Sequence, residues 1–200
     1  MTTPLAYRKI CDTTVIFSHG DPLGGIYGLV SGFVAVNIAP PGSMPRLVHM
    51  AQPSAWTGEG CFMTGQPRRV GLEAVAASWV MHLPLEAMER LAIRNPNIIR
   101  AFGMITILAT DILVRMVHDL QKRSADRRIA SVLHRMAWKD NLPIIVSQDS
   151  LGIMANASRK QTNAALQKFA AEGWILSGYR SIVVTDASAL RQFAELPAGE

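Results

Sequence analysis

Arg159, Lys160, Asn163 and Gln167 carry the most specific chemistry in this chain. Their spacing puts them along one side of a helix, with Asn163 one turn after Arg159. An arginine can donate twice to a guanine edge, and an asparagine can bridge adenine in both directions. Lys160 and Lys168 suit phosphates, which supply most of the salt-dependent affinity for a duplex. Ser158 stands just ahead, where its hydroxyl can cap the helix. Arg180 lies further on, in Ser177-Gly178-Tyr179-Arg180, where a turn between two strands could carry it to a phosphate.

The surrounding residues supply the scaffold for that strip. Ser147 caps a first short helix, with Gln148 and Asp149 suited to its first turn. Leu151 and Met154 share its inner face, and Gly152 in its middle implies close approach of a second helix. Asn156 is the turn residue, because Asn tolerates the left-handed conformation. The second helix runs to about Ala171, buries Thr162, Ala165, Leu166 and Phe169, and ends at Gly173. Trp174-Ile175-Leu176 and Ser181 to Thr185 read as two strands. Cap, turn, basic strip and wing in this order predict a winged helix-turn-helix that lays one helix in the major groove. The competing reading is a helical hairpin with a solvated basic face that serves protein contacts.

Ahead of this module the pattern changes twice. From about Thr13 to Leu83, short apolar runs alternate with Gly- and Pro-rich turns. The runs are Thr14 to Phe17, Gly28 to Asn37, Arg46 to His49 and Ala76 to Leu83. His19-Gly20-Asp21, Pro40-Pro41-Gly42-Ser43 and Thr64-Gly65-Gln66-Pro67 read as turns between them. Many short strands predict a small β-barrel or roll. Helical spacing begins after Pro84, with a short helix from Leu85 to Arg94.

A long helix then starts at Asn95-Pro96 and continues to about Lys122. Ile98, Phe102, Ile105, Ala109, Ile112 and Met116 alternate by four and three along it. That stripe predicts the seam of a parallel homodimer; a helix packed on its own barrel is the other reading. Both hold at once if Leu108 and Leu113 face the barrel. A further helix from Ala125 to Trp138 leads to the helix-turn-helix. The expected class is therefore α+β, with a jelly-roll-like barrel over residues 1–94, a dimerisation helix over 95–123 and a DNA-binding domain over 124–200.

Composition narrows the function classes. The 200 residues are 49% hydrophobic and 18% charged, with a net charge of +5. Such a chain folds, and its basic balance fits a polyanionic partner such as double-stranded DNA. Cys11 and Cys61 form neither a CxxC nor a metal spacing, so neither an iron–sulfur cluster nor a disulfide framework is expected. Either could sense oxidation if exposed with a lowered pKa. No run reaches membrane-spanning length and no signal-peptide pattern occurs, so a cytoplasmic protein without membrane contact is expected. There is no phosphate loop, metal-spaced acid cluster or nucleophile elbow, so no enzyme is expected.

Barrel, long helix and winged helix-turn-helix in this order resemble the Crp/Fnr family of bacterial transcription regulators. The likeness spans about Phe17 to Phe193. It is carried by the C-terminal motif and by Gly58-Glu59-Gly60-Cys61-Phe62-Met63-Thr64-Gly65-Gln66-Pro67-Arg68-Arg69. In nucleotide-binding members the Glu of this segment takes a ribose hydroxyl and the Arg takes the cyclic phosphate. That resemblance marks Glu59, Arg68 and Arg69 as candidate effector residues; Glu59 and Arg68 pairing with each other is the alternative.

The sequence departs from the nucleotide pattern at Gly60, at Arg69-Val70 and on the long helix. There Leu113-Val114 stand where cyclic-AMP receptors use Thr-Ser against the base. Two apolar side chains cannot replace those hydrogen bonds, so cyclic AMP is not the expected ligand. His19, His49, His82, His118 and His134 are isolated and read as structural or surface groups rather than haem ligands. Family members usually carry a helix before the first strand, for which Met1 to Cys11 are available. The recognition strip differs too. Cyclic-AMP receptors use Arg-Glu and a second Arg, where this chain has Arg159, Lys160 and Ala164. The resemblance implies a palindromic operator, an effector signal relayed from the barrel, and regulation through contact with or exclusion of RNA polymerase.

Overall fold

The computed structural model describes residues 5–39, 42–137 and 142–195. The expected turn residues Pro40 and Pro41, and Trp138 at the end of an expected helix, lie outside them. The chain divides into two units, Met1–Leu113 and Val114–Glu200. The division falls inside the long helix rather than at either of its ends.

The first unit is an antiparallel β-roll. Its strands are β1 (Ala6–Ile10), β2 (Val15–Phe17), β3 (Ile26–Ser31), β4 (Val34–Ile38), β5 (Arg46–Ala51), β6 (Trp56–Thr57), β7 (Val70–Ala74) and β8 (Ser78–Leu83). They form two four-stranded sheets, ordered β1-β8-β3-β6 and β2-β7-β4-β5. Phe17, Leu29, Val34, Ala51, Leu72 and Val80 fill the space between. The single apolar run from Gly28 to Asn37 is two strands, β3 and β4, which the bend at Gly32 sends into different sheets. Among the described residues before Cys11, Ala6–Ile10 form strand β1 rather than a helix, paired with β8 from Ala6↔His82 to Ile10↔Ser78. A one-turn helix, α1 (Gly60–Thr64), interrupts the roll at the Gly58–Arg69 segment.

Two helices complete this unit. Helix α2 (Leu85–Arg94) has the predicted bounds, and α3 (Ile98–Leu120) is the predicted long helix. Asn95 caps it locally: its Oδ1 accepts from the Asn97 amide at 3.2 Å and its carbonyl from Ile98 at 3.0 Å.

The face of α3 chosen from its spacing needs correction. Phe102 is buried with Ile26 and Met88, and Ile98 and Ile105 pack against the same cluster. Phe62 meets the Phe102 ring edge-on at 5.1 Å. Met116 is also buried, Ile112 is half-buried, and Ala109 is exposed. Leu108 and Leu113, expected to face the barrel, are exposed. The helix is apolar on more than one side, so the same four-three alternation occurs on two faces. The stripe left free is Met104, Ile107, Leu108, Val114 and Val117.

The second unit holds the last turns of α3 and the C-terminal module. Helix α4 (Ala125–Met136) is followed by β9 (Pro143–Ile145), α5 (Gln148–Met154), α6 (Arg159–Ala171), β10 (Ile175–Gly178), β11 (Ser181–Val184) and α7 (Ala187–Glu195). The three strands make one antiparallel sheet, ordered β10-β11-β9. Helix α4 packs on α5, α6 and α7. Ile129, Leu133, Leu151, Phe169, Ile175 and Leu190 are fully enclosed. A charged cluster fastens α3 here. Buried Asp119 accepts from Arg135 and from Lys122 Nζ at 3.1 Å, and Lys122 also donates to Ser131 and Glu195. A charge removed from water is costly unless it is paired and hydrogen-bonded, as it is here. Burial pushes the Arg135 guanidinium below its ordinary pKa, and Asp119 opposes the shift.

Because Phe102 seals the roll, Phe102→Ala should destabilise the first unit by about 3–5 kcal/mol. Urea unfolding would read this. An unchanged midpoint would place Phe102 outside the core.

Candidate nucleic-acid interface

The helix-turn-helix forms as its residues dictate. Ser147 Oγ accepts from the Ser150 amide at 3.0 Å and starts α5. Asn156 turns the chain at φ +46°, a conformation that short polar side chains tolerate best. Ser158 then caps α6 through a reciprocal pair. Its Oγ accepts from the Gln161 amide at 3.3 Å, and Gln161 Oε1 accepts from the Ser158 amide at 2.9 Å. The Ser-x-x-Gln spacing is the sequence signature of this capping box. Gly152 marks the helix crossing. A Cβ there would sit 2.9 Å from the Ala157 carbonyl oxygen and 3.0 Å from Thr162 Oγ1. Thr162 itself is buried and back-bonds to the Ser158 carbonyl at 3.0 Å.

This geometry sorts the side chains of α6. Thr162, Ala165, Leu166 and Phe169 are buried. Ser158 at the helix start is exposed, as are Arg159, Lys160, Asn163 and Gln167. Arg159, Lys160, Asn163 and Gln167 have no side-chain hydrogen bond or ion pair among the described residues, so their donors and acceptors are available to a ligand. Lys168 is different. Its Nζ lies 3.8 Å from Asp126 and 4.4 Å from the centre of the Phe193 ring. The wing is a tight hairpin in which Ser181 pairs with Gly178, leaving Tyr179 and Arg180 at its tip. Arg180 adopts φ +49° there and is exposed, beside an almost fully exposed Tyr179.

Strand β9 and helix α7 escaped the sequence reading. β9 has three residues and begins with a proline, too short for a visible alternation. Arg128 escaped as well, because its four acceptors are backbone carbonyls that no side-chain pattern announces.

The effector residues are not gathered into one site. Glu59 is buried, and its Oε1 accepts from Thr106 Oγ1 at 3.0 Å. Arg68 is buried too, but it does not pair with Glu59. It donates to the Gly58 carbonyl at 3.3 Å and lies 4.1 Å over the Phe17 ring. A Cβ on Gly24 would meet its Nη2 at 2.2 Å, so that loop closes directly on the guanidinium. Arg68 borders a cavity of about 390 Å³ with Asp21, Tyr27, His82 and Glu86, and none of the other four candidates lines it. Arg69, Leu113 and Val114 are exposed. His82 stacks on Tyr27 at 4.3 Å; burial, then Arg8 and Arg68, push its pKa down. Cys61 is buried and Cys11 exposed.

An antiparallel β-roll followed by a long helix and a winged helix-turn-helix defines a two-domain regulator architecture. The comparisons agree. The cyclic nucleotide-binding domain model matches residues 7–95, and the Crp-like helix-turn-helix domain model matches residues 127–193. The CRP-like cAMP-activated global transcriptional regulator of Mycobacterium tuberculosis is 22% identical over 189 residues, covering 90% of this chain and 84% of that protein. FixK2 from Bradyrhizobium japonicum shares the fold with a TM-score of 0.81 at 18% identity, over 98% of this chain and all of that one (100%). A Crp/Fnr-family transcriptional regulator of Thermus thermophilus superposes with a TM-score of 0.74 at 19% identity, over 96% and 99% of the two chains. The chain belongs to the Crp/Fnr family of transcription regulators. No helix among the described residues is long and apolar enough to cross a membrane.

The crossing at Gly152 should tolerate no side chain. Gly152→Ala should lower stability by about 1–3 kcal/mol despite alanine's better helix propensity, because backbone must move. A raised denaturation midpoint would show that the crossing has slack.

Proposed function

We propose that this chain is a homodimeric regulator that reads a palindromic operator in duplex DNA through α6. The observation that carries this reading is the free strip on α6. Arg159, Lys160, Asn163 and Gln167 stand unpaired on a helix whose other face is fully buried. In the bound state Arg159 donates to guanine and Asn163 to adenine, while Lys160 and Arg180 meet phosphates. Ser158 and Lys168 add phosphate contacts: the capping hydroxyl accepts from Gln161 and keeps its O–H to donate, and the Lys168–Asp126 pair is 3.8 Å apart and partly exposed. Two copies present their α6 helices to successive major grooves about 34 Å apart.

The second copy docks on the exposed stripe Met104, Ile107, Leu108, Val114 and Val117 of α3. An isologous pair needs one self-complementary apolar surface, and this stripe supplies it. We do not assign cyclic AMP to the barrel. Arg68 is engaged by Phe17 and the Gly58 carbonyl, and Leu113 and Val114 offer an adenine no polar partner. The bound dimer acts on transcription by contacting or excluding RNA polymerase.

Selection from a random duplex library with the purified protein should enrich a palindrome. Arg159→Ala should then lose about 1–3 kcal/mol on that site and relax preference at one position. An equal loss on all sequences would reduce Arg159 to a phosphate contact.

Ile107→Glu should split the dimer, whereas Ala109→Glu, off the stripe, should leave it intact. Light scattering at micromolar concentration reads both. A dimer that survives Ile107→Glu would rule out this face.

A further inference from the structure

One guanidinium in the second unit joins the end of α3 to the turn of the helix-turn-helix. Arg128 stands in the first turns of α4, and all three of its side-chain nitrogens donate, to four carbonyls in total. Nη1 donates to the Lys122 carbonyl at 2.7 Å and to the Arg123 carbonyl at 3.1 Å. Nε donates to the Ala155 carbonyl at 2.8 Å, and Nη2 to the Asn156 carbonyl at 2.9 Å. Lys122 and Arg123 follow closely on α3, which ends at Leu120. Ala155 is the C-cap of α5, and Asn156 is the left-handed turn residue.

One acceptor pair lies in the link between α3 and α4, the other at the C-cap of α5 and the turn residue after it. Link and turn carbonyls have no helical ladder to satisfy them, and one cation between the two segments satisfies both pairs. The guanidinium is planar, and its N–H directions are fixed relative to one another, so satisfying four carbonyls at once sets their relative position. Asn156 is three residues ahead of Arg159, the first residue of α6.

We propose that Arg128 is a positioning residue that sets the offset of α6 from the end of α3, and through it the half-site spacing the dimer accepts. The inference rests on the reading of the chain as a dimer with operator-binding α6 helices. Arg128 touches no base in this scheme. Its effect reaches DNA only through the carbonyls that frame α6. The alternative is a purely structural staple, which would change stability and leave spacing preference alone.

The test uses full-length wild type, Arg128→Lys and Arg128→Gln. The probes are the palindrome selected by the wild type, the same palindrome with its centre shortened or lengthened by one and two base pairs, and a single half-site. Lysine keeps the charge and most of the stem, but its three donors radiate from one nitrogen and cannot serve both carbonyl pairs. Wild type should prefer one spacing. Arg128→Lys should lose most of that preference, about tenfold in relative affinity, with half-site affinity within about twofold of wild type. Arg128→Gln, which also lacks the charge, should lose at least as much.

Unchanged spacing preference in a folded Arg128→Lys would overturn the proposal, and so would a half-site loss as large as the palindrome loss. A wild type with no spacing preference would remove the regulator reading and this inference with it; a wild type with one and an unaffected variant would remove only the inference. A second measurement needs no variant. Amide exchange in the wild type should show the Ala155–Asn156 turn opening no faster than the α4 core. A turn that exchanges freely while α4 stays protected would show that the clamp is not held in solution.

Discussion

The C-terminal module depends on the crossing of α5 and α6 at Gly152. The Ala157 carbonyl and the Thr162 hydroxyl approach the glycine so closely that no side chain fits between the helices. Everything else about α6 follows from that contact. The turn must be short, so Asn156 takes a left-handed conformation, and Ser158 and Gln161 satisfy the amides that the abrupt start leaves open. With α6 held this near, Thr162, Ala165, Leu166 and Phe169 face inward and the polar strip faces out. The exposed polar strip is the remainder after packing.

Several cations serve inside this chain as ties between segments. Arg128 binds four carbonyls, and Arg135 and Lys122 converge on buried Asp119. Arg68 does the equivalent in the roll, held by an aromatic face and a single carbonyl. A buried guanidinium with few partners is costly unless its surroundings are arranged for it. The rings of Phe17 and Tyr27 and the absence of a side chain at Gly24 are that arrangement. The net charge of the chain therefore overstates the positive charge free at its surface.

Helix α3 shows where a one-dimensional pattern stops being informative. Ile98, Phe102 and Ile105 form a clean four-three series, but so do residues on another side of the helix. A helix that must cover a barrel on one face and offer an apolar surface on another carries two such series. Periodicity measures amphipathicity and not the identity of the neighbour. The division between β3 and β4 is hidden for a related reason: Gly32 alone marks the bend that sends one apolar run into two sheets.

Caps, turns and short-range periodicity could be read from residue order, because they are local. Ser147, Asn156, Ser158 and Gly173 each act on amides or dihedrals within a few positions, so the helix-turn-helix and its exposed strip were legible residue by residue. The Gly58–Arg69 segment was legible as a motif, but its geometry was not. Whether Arg68 meets Glu59 or Phe17 is settled by strands that are distant in sequence. The same holds for the buried face of α3, the pairing of β9 with β11 and the four carbonyls around Arg128. Those contacts join segments that lie apart along the chain. They are chosen by competition among surfaces that only the folded chain brings together, and no local rule encodes which surface wins.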